Sequence, residues 1–180
     1  MFIFRPEPNA FNVLGQILLV QELPKPWVDL QAYKRTRLLE AKYEAEIAGE
    51  FLREGLIRNA AGKAFQAWKA LVAALAVDHR DKLRAAFPGN VKLKGGKVVE
   101  RADWLIAVMP STRLREVAQL IGGEIAGFTS IALDLHQYQY NGPDRELITS
   151  PYRTDEEAGR DVELLLEEIE KVLRREGVVT

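Results

Sequence analysis

Apolar positions recur at three- and four-residue steps along most of this chain, and they alternate one by one almost nowhere. That period places them on one face of an α-helix, not on one face of a strand. From Asp29 to about Gly55, Leu38, Ala41, Ala45, Ala48 and Leu52 form a narrow stripe of mostly small residues, with Lys34, Arg37, Lys42, Glu46, Glu50 and Glu54 on other faces. Gly55 marks a break. A second helix is predicted from about Leu56 to Ala86, burying Ala61, Ala64, Phe65, Trp68, Leu71, Val72 and Leu75. Its alanines let a neighbouring backbone approach closely, while Phe65 and Trp68 fill the wider gaps. Phe87-Pro88-Gly89-Asn90 ends it.

Residues 89–100 read as a polar, glycine-containing loop, with one weak β signal, a short pair at Val91–Val99. Arg101 to Met109 is a short helix carrying Trp104, Ile106 and Val108, stopped by Pro110. Ser111 or Thr112 is the expected cap of the next helix. Gly122-Gly123 then divides two helices, roughly 111–121 and 123–141, with Gly142-Pro143 as terminator. After a linker at 142–153, Thr154-Asp155-Glu156-Glu157 has the form of a capping box, with Thr154 as cap and Glu157 reaching back. The last helix buries Val162, Leu165, Leu166, Ile169, Val172 and Leu173 and ends near Gly177. The sum is an all-α fold, an antiparallel bundle of four main helices with short extra helices.

Residues 1–29 stand apart as an N-terminal arm before a helical domain at 30–180. Phe11, Val13, Leu14, Ile17, Leu18, Leu19 and Val20 suit a short helix or strand at about 10–20, bounded by Pro6, Pro8, Pro24 and Pro26. Such an arm packs on its own core or covers a dimer partner.

Composition narrows the function classes. The chain has 180 residues and a net charge of −1, so one domain with a sizeable core is expected, without a global field that recruits nucleic acid or membrane. Charge is uneven locally. Seven basic residues face two acidic ones between Arg80 and Arg101, and nine acidic face four basic ones between Thr154 and Glu176. Cysteine is absent and only two histidines occur, which argues against disulfides, thiolate chemistry and zinc. No metal and no cofactor is predicted. The scarcity of Cys and Met beside abundant Glu, Lys and Arg suits a thermophilic source. The start carries no targeting pattern and no apolar run reaches a membrane span, so a cytoplasmic protein is expected.

One segment concentrates titratable, hydrogen-bonding side chains: Leu135-His136-Gln137-Tyr138-Gln139-Tyr140-Asn141-Gly142. An imidazole titrates near neutrality and can serve as general acid or base. His136 and Tyr140 are one turn apart and share a face, whereas Tyr138 points elsewhere. Three readings follow: they tie down a helix end, they hold a nucleotide base, or His136 is catalytic. Arg58, Asn59 and Lys63 on the second helix are the candidates to meet them, with Asn59 and Lys63 on one face. Gly95-Gly96-Lys97 lacks the other parts of a phosphate loop, and Ser111-Thr112 reads better as a cap than as a nucleophile.

The run Arg58-Asn59-Ala60 through Lys63-Ala64-Phe65-Gln66-Ala67, followed by a late helix with Leu135, His136, Tyr140 and Gly142, resembles the HEPN superfamily of nucleotide-binding helical domains. Within it the chain is most similar to the archaeal PaREP-type branch, over roughly Leu30 to Glu176. The resemblance implies a HEPN-like bundle, a homodimer, and a nucleotide- or RNA-binding module with Arg58, Asn59, Lys63, Tyr138 and Tyr140 as contacts. It also implies two alternatives. One is a metal-independent, toxin-like ribonuclease using His136. The other is a protein-interaction partner of a small nucleotidyltransferase, docked through the acidic last helix. Nucleases of this type carry an arginine shortly before the histidine to neutralise the scissile phosphate. Here Thr129, Ser130 and Ile131 hold the corresponding positions, which counts against cleavage unless Arg58 or Lys63 reaches His136 from across the bundle.

Overall fold

The computed structural model describes residues 24–179, which form seven α-helices and one two-stranded ribbon. The expected segment at 10–20 and most of the arm lie outside the described residues. Helix α1 spans Leu30–Arg53, its first turn held by the Asp29 carboxylate, which accepts the Ala32 N–H at 2.8 Å. Gly55 reverses the chain at φ +75°, a conformation open to glycine at little cost. Helix α2, Ile57–Asp78, then returns along α1 and also packs on the two late helices. Thirteen of its 22 residues are buried, making it the central helix of the core. Its alanines are what let three neighbours close around it.

The second helix is shorter than expected. It stops at His79, whose ψ of 18° leaves the helical region, and α3 restarts over Arg80–Ala86. The bend sets Arg80 against the buried Asp103, with Nε donating to Oδ1 at 2.6 Å and Nη2 to Oδ2 at 2.7 Å. A buried carboxylate needs such a two-pronged partner to offset its lost hydration. The weak β signal is present as β1, Asn90–Lys92, paired antiparallel with β2, Val98–Glu100, with Val91 opposite Val99. Helix α4, Arg101–Val108, follows.

Helix α5 covers Ser111–Ile121, and neither Ser111 nor Thr112 caps it. Pro110 takes the cap position with φ −62°, so a preset backbone angle replaces a side-chain hydrogen bond. Helix α6, Gly123–Asn141, and helix α7, Asp155–Arg175, complete the fold. Thr154 caps α7 as expected, its Oγ1 accepting the Glu157 N–H, but the Glu157 carboxylate reaches back one residue beyond the cap, where Oε2 accepts the Arg153 N–H.

The linker before α7 is ordered. The Asp144 carboxylate accepts the N–H groups of Glu146, Ile148 and Thr149, while Gln137 and Asn141 both donate to the Thr149 carbonyl. This loop fixes the exit of α6, and with it the last turn carrying Tyr140. Among the described residues, no helix is long and apolar enough to cross a membrane.

Candidate ligand-binding site

The N-terminal turns of α2 and the C-terminal turn of α6 meet with α1 beside them, leaving a hollow of about 490 Å³. Its walls are Phe51 from α1, Arg58, Asn59, Lys63 and Gln66 from α2, and Gln139 and Tyr140 from α6. Asn59, Lys63 and Gln66 recur at four- and three-residue steps, a polar stripe on a helix otherwise buried in hydrocarbon. Gly62 belongs to the same face. A Cβ there would lie 2.6 Å from Gln139 Oε1, so the missing side chain leaves room for the Gln139 amide against α2.

Of the residues singled out from the sequence, Arg58, Asn59, Lys63 and Tyr140 share this hollow. Their states differ. Arg58 donates to the carbonyls of Gln139 at 3.1 and 3.0 Å and of Tyr140 at 2.6 Å. It satisfies carbonyls that a helix end leaves unpaired and sits at the negative end of the α6 dipole. Lys63 faces Glu44 Oε2 at 2.8 Å. That shielded oxygen has no well-angled hydrogen bond, so the contact is an ion pair and little more. Among the described residues, the side chains of Asn59 and Gln66 and the Tyr140 hydroxyl make no hydrogen bond, and Tyr140 is 69% exposed.

His136 lies behind this wall. Its ring stacks on buried Phe65, with centroids 3.9 Å apart and planes 19° apart, and meets the Tyr140 ring edge-on at 5.4 Å. The Gln139 amide Nε2 stands 2.5 Å from Nδ1, which makes Nδ1 the acceptor and leaves any proton on Nε2. Burial, then the nearby Lys69 ammonium, lowers the imidazole pKa, so the ring is neutral at pH 7. Neither Arg58 nor Lys63 is bonded to it, and the charge that acts on the ring is that of Lys69, one turn beyond Phe65 on α2.

Tyr138 is not in the hollow. It is fully buried, stacks edge-on against Tyr152 and donates its hydroxyl to Asp155. Burial and then that carboxylate push its phenol pKa up, so it stays a neutral donor that ties α6 to the start of α7. Thr129 is likewise a core residue, accepting Trp68 Nε1–H at 2.9 Å and donating to the Ile125 carbonyl at 2.7 Å. Ser130 accepts from Arg115. Gln66, Gln139 and Lys69 were not singled out from the sequence. The signal for two of them was there: Asn59, Lys63, Gln66 and Lys69 are one polar stripe on a helical period. Among the described residues, no group of three His, Asp or Glu side chains could hold a metal ion.

Fold and site together define an all-α protein with a polar, tyrosine-edged hollow between the end of one helix and the start of another. The model of the archaeal PaREP1/PaREP8 family matches residues 36–163, a span containing every residue of that hollow, and the chain belongs to this family. No curated protein and no solved structure matches it.

Proposed function

We propose that the protein is a nucleotide- or RNA-binding module built on a HEPN-type four-helix bundle of α1, α2, α6 and α7. The observation that carries this reading is the hollow itself. It offers an exposed tyrosine face to a base, two unpaired amides to the base edge, and the Lys63 ammonium, which Glu44 holds at 2.8 Å. Stacking on an aromatic ring contributes about 1–3 kcal/mol per base and tolerates any base. The amides of Asn59 and Gln66 supply donor and acceptor pairs that select among bases. Arg58 acts here by holding Gln139 and Tyr140 in place, because its donors are directed at their carbonyls.

The cleavage alternative has less support. His136 has its Nδ1 engaged by Gln139, lies flat against Phe65, and feels a lysine in place of the arginine such nucleases use. A partner role through α7 rests on its exposed acidic face, where Glu163, Glu167 and Glu170 lie in solvent. A homodimer would use the outer face of α1, where Leu39 and Tyr43 remain exposed one turn apart.

Fluorescence anisotropy with labelled AMP and a labelled short single-stranded RNA tests the binding reading. Saturable binding is expected, weakened about tenfold by Tyr140→Ala. The absence of saturable binding to either probe overturns it. Incubation of labelled RNA without metal, comparing wild type with His136→Ala, tests cleavage. Equal background in both is expected, and loss of activity in the variant alone restores the nuclease reading.

A further inference from the structure

Beyond Gln66 the polar stripe of α2 runs into a second, much smaller cavity of about 60 Å³. Arg37 and Glu40 of α1, Gln66 and Lys69 of α2, and Val108 and Met109 at the end of α4 line it. Gln66 lines both this cavity and the main hollow, so the two adjoin at its side chain. We propose that Lys69 and Gln66 form an anion subsite that receives a phosphate of the ligand seated in the main hollow. The proposal rests on the binding reading above and assigns the part of the ligand that reaches furthest along α2.

The charges in the cavity do not cancel. Arg37 is committed: Nε donates to the Tyr33 hydroxyl at 2.9 Å, Nη1 to Glu40 at 2.7 Å and Nη2 to the Ala107 carbonyl at 2.9 Å. Glu40 is thereby the partner of Arg37. Lys69 is left over; among the described residues it makes no hydrogen bond and no ion pair. A half-buried ammonium without a partner loses hydration and gains nothing in return. Burial and then the Arg37 charge pull its pKa down, outweighing the Glu40 carboxylate, which raises it. The space is too small for a base or a sugar and large enough for one oxyanion. Its polar surroundings are three ammonium donors, an uncommitted amide, the flank of a guanidinium and the Glu40 carboxylate, whose charge Arg37 offsets.

Isothermal titration with adenosine, AMP and inorganic phosphate, together with the lysine side-chain NMR signal of Lys69, tests the subsite. AMP should bind about tenfold more tightly than adenosine, the effect of one charge-assisted contact. Lys69→Met should abolish that ratio by lowering AMP affinity to that of adenosine, with a melting temperature no lower than the wild type's, and Lys69→Arg should retain part of it. Inorganic phosphate should shift the Lys69 signal without any nucleoside present. Equal affinities for adenosine and AMP, or a ratio that survives Lys69→Met, overturns the subsite. If no nucleoside binds but phosphate still shifts Lys69, the subsite stands and the nucleotide reading falls. If phosphate leaves Lys69 unmoved and no ligand binds, both fall.

Discussion

Arg58 and His136 show how far a side chain's chemistry depends on what it is asked to pair with. Both are ordinary candidates for a phosphate site, yet Arg58 directs its donors at two backbone carbonyls and His136 lies against a phenylalanine. Replacing Arg58 by alanine should therefore cost stability, about 1–2 kcal/mol by urea denaturation, because carbonyls at the α6 end lose their partner. For His136 the folded pKa lies below the ordinary 6.5, since burial and Lys69 disfavour the charged ring. Its contribution to stability is full above pH 6.5 and is lost as pH falls from there through the folded value. The difference in stability between wild type and His136→Phe should accordingly narrow below pH 6.5. An NMR titration should put the imidazole midpoint under that value. A midpoint at or above it would mean the ring is better solvated than its place beside Phe65 implies.

At the level of elements, α2 organises the molecule, and its Trp68 fixes the role of Thr129. Thr129, at one of the positions where that arginine would fall, points into the core and holds the Trp68 indole. Thr129→Val keeps the volume but leaves the indole N–H without a partner, so a loss of about 1–3 kcal/mol is expected in thermal or chemical unfolding. A neutral result would show that the indole finds another acceptor. Most helix limits were legible because they depend on local chemistry: Asp29, Gly55, Gly122, Gly142 and the Thr154 box all act within a turn. The break at His79 was not legible. It goes with Arg80 meeting Asp103, a pairing across 23 residues that no local pattern encodes.

At the scale of the whole molecule, the outer face of α1 bears Leu39 and Tyr43, 46% and 55% exposed. If two copies associate through it, Tyr43→Glu should sediment as a monomer under conditions where the wild type sediments at twice that mass. Equal sedimentation of the two would remove α1 as the interface. The same scale decides what the hollow is. Asn59, Lys63, Gln66 and Lys69 share a stripe on α2, but only α6 and α1 closing over them turn a polar face into a cavity.

The sequence by itself determined the helical class, most element limits and four of the hollow's residues, Arg58, Asn59, Lys63 and Tyr140. Those follow from periodicity, capping and turn chemistry, which operate over a few residues. Only the tertiary structure decided that Tyr138 is buried, that Arg58 is held by carbonyls, that Lys63 pairs with Glu44, and that the charge acting on His136 is that of Lys69. Each is a choice of partner made across the bundle, and it depends on which helix faces meet.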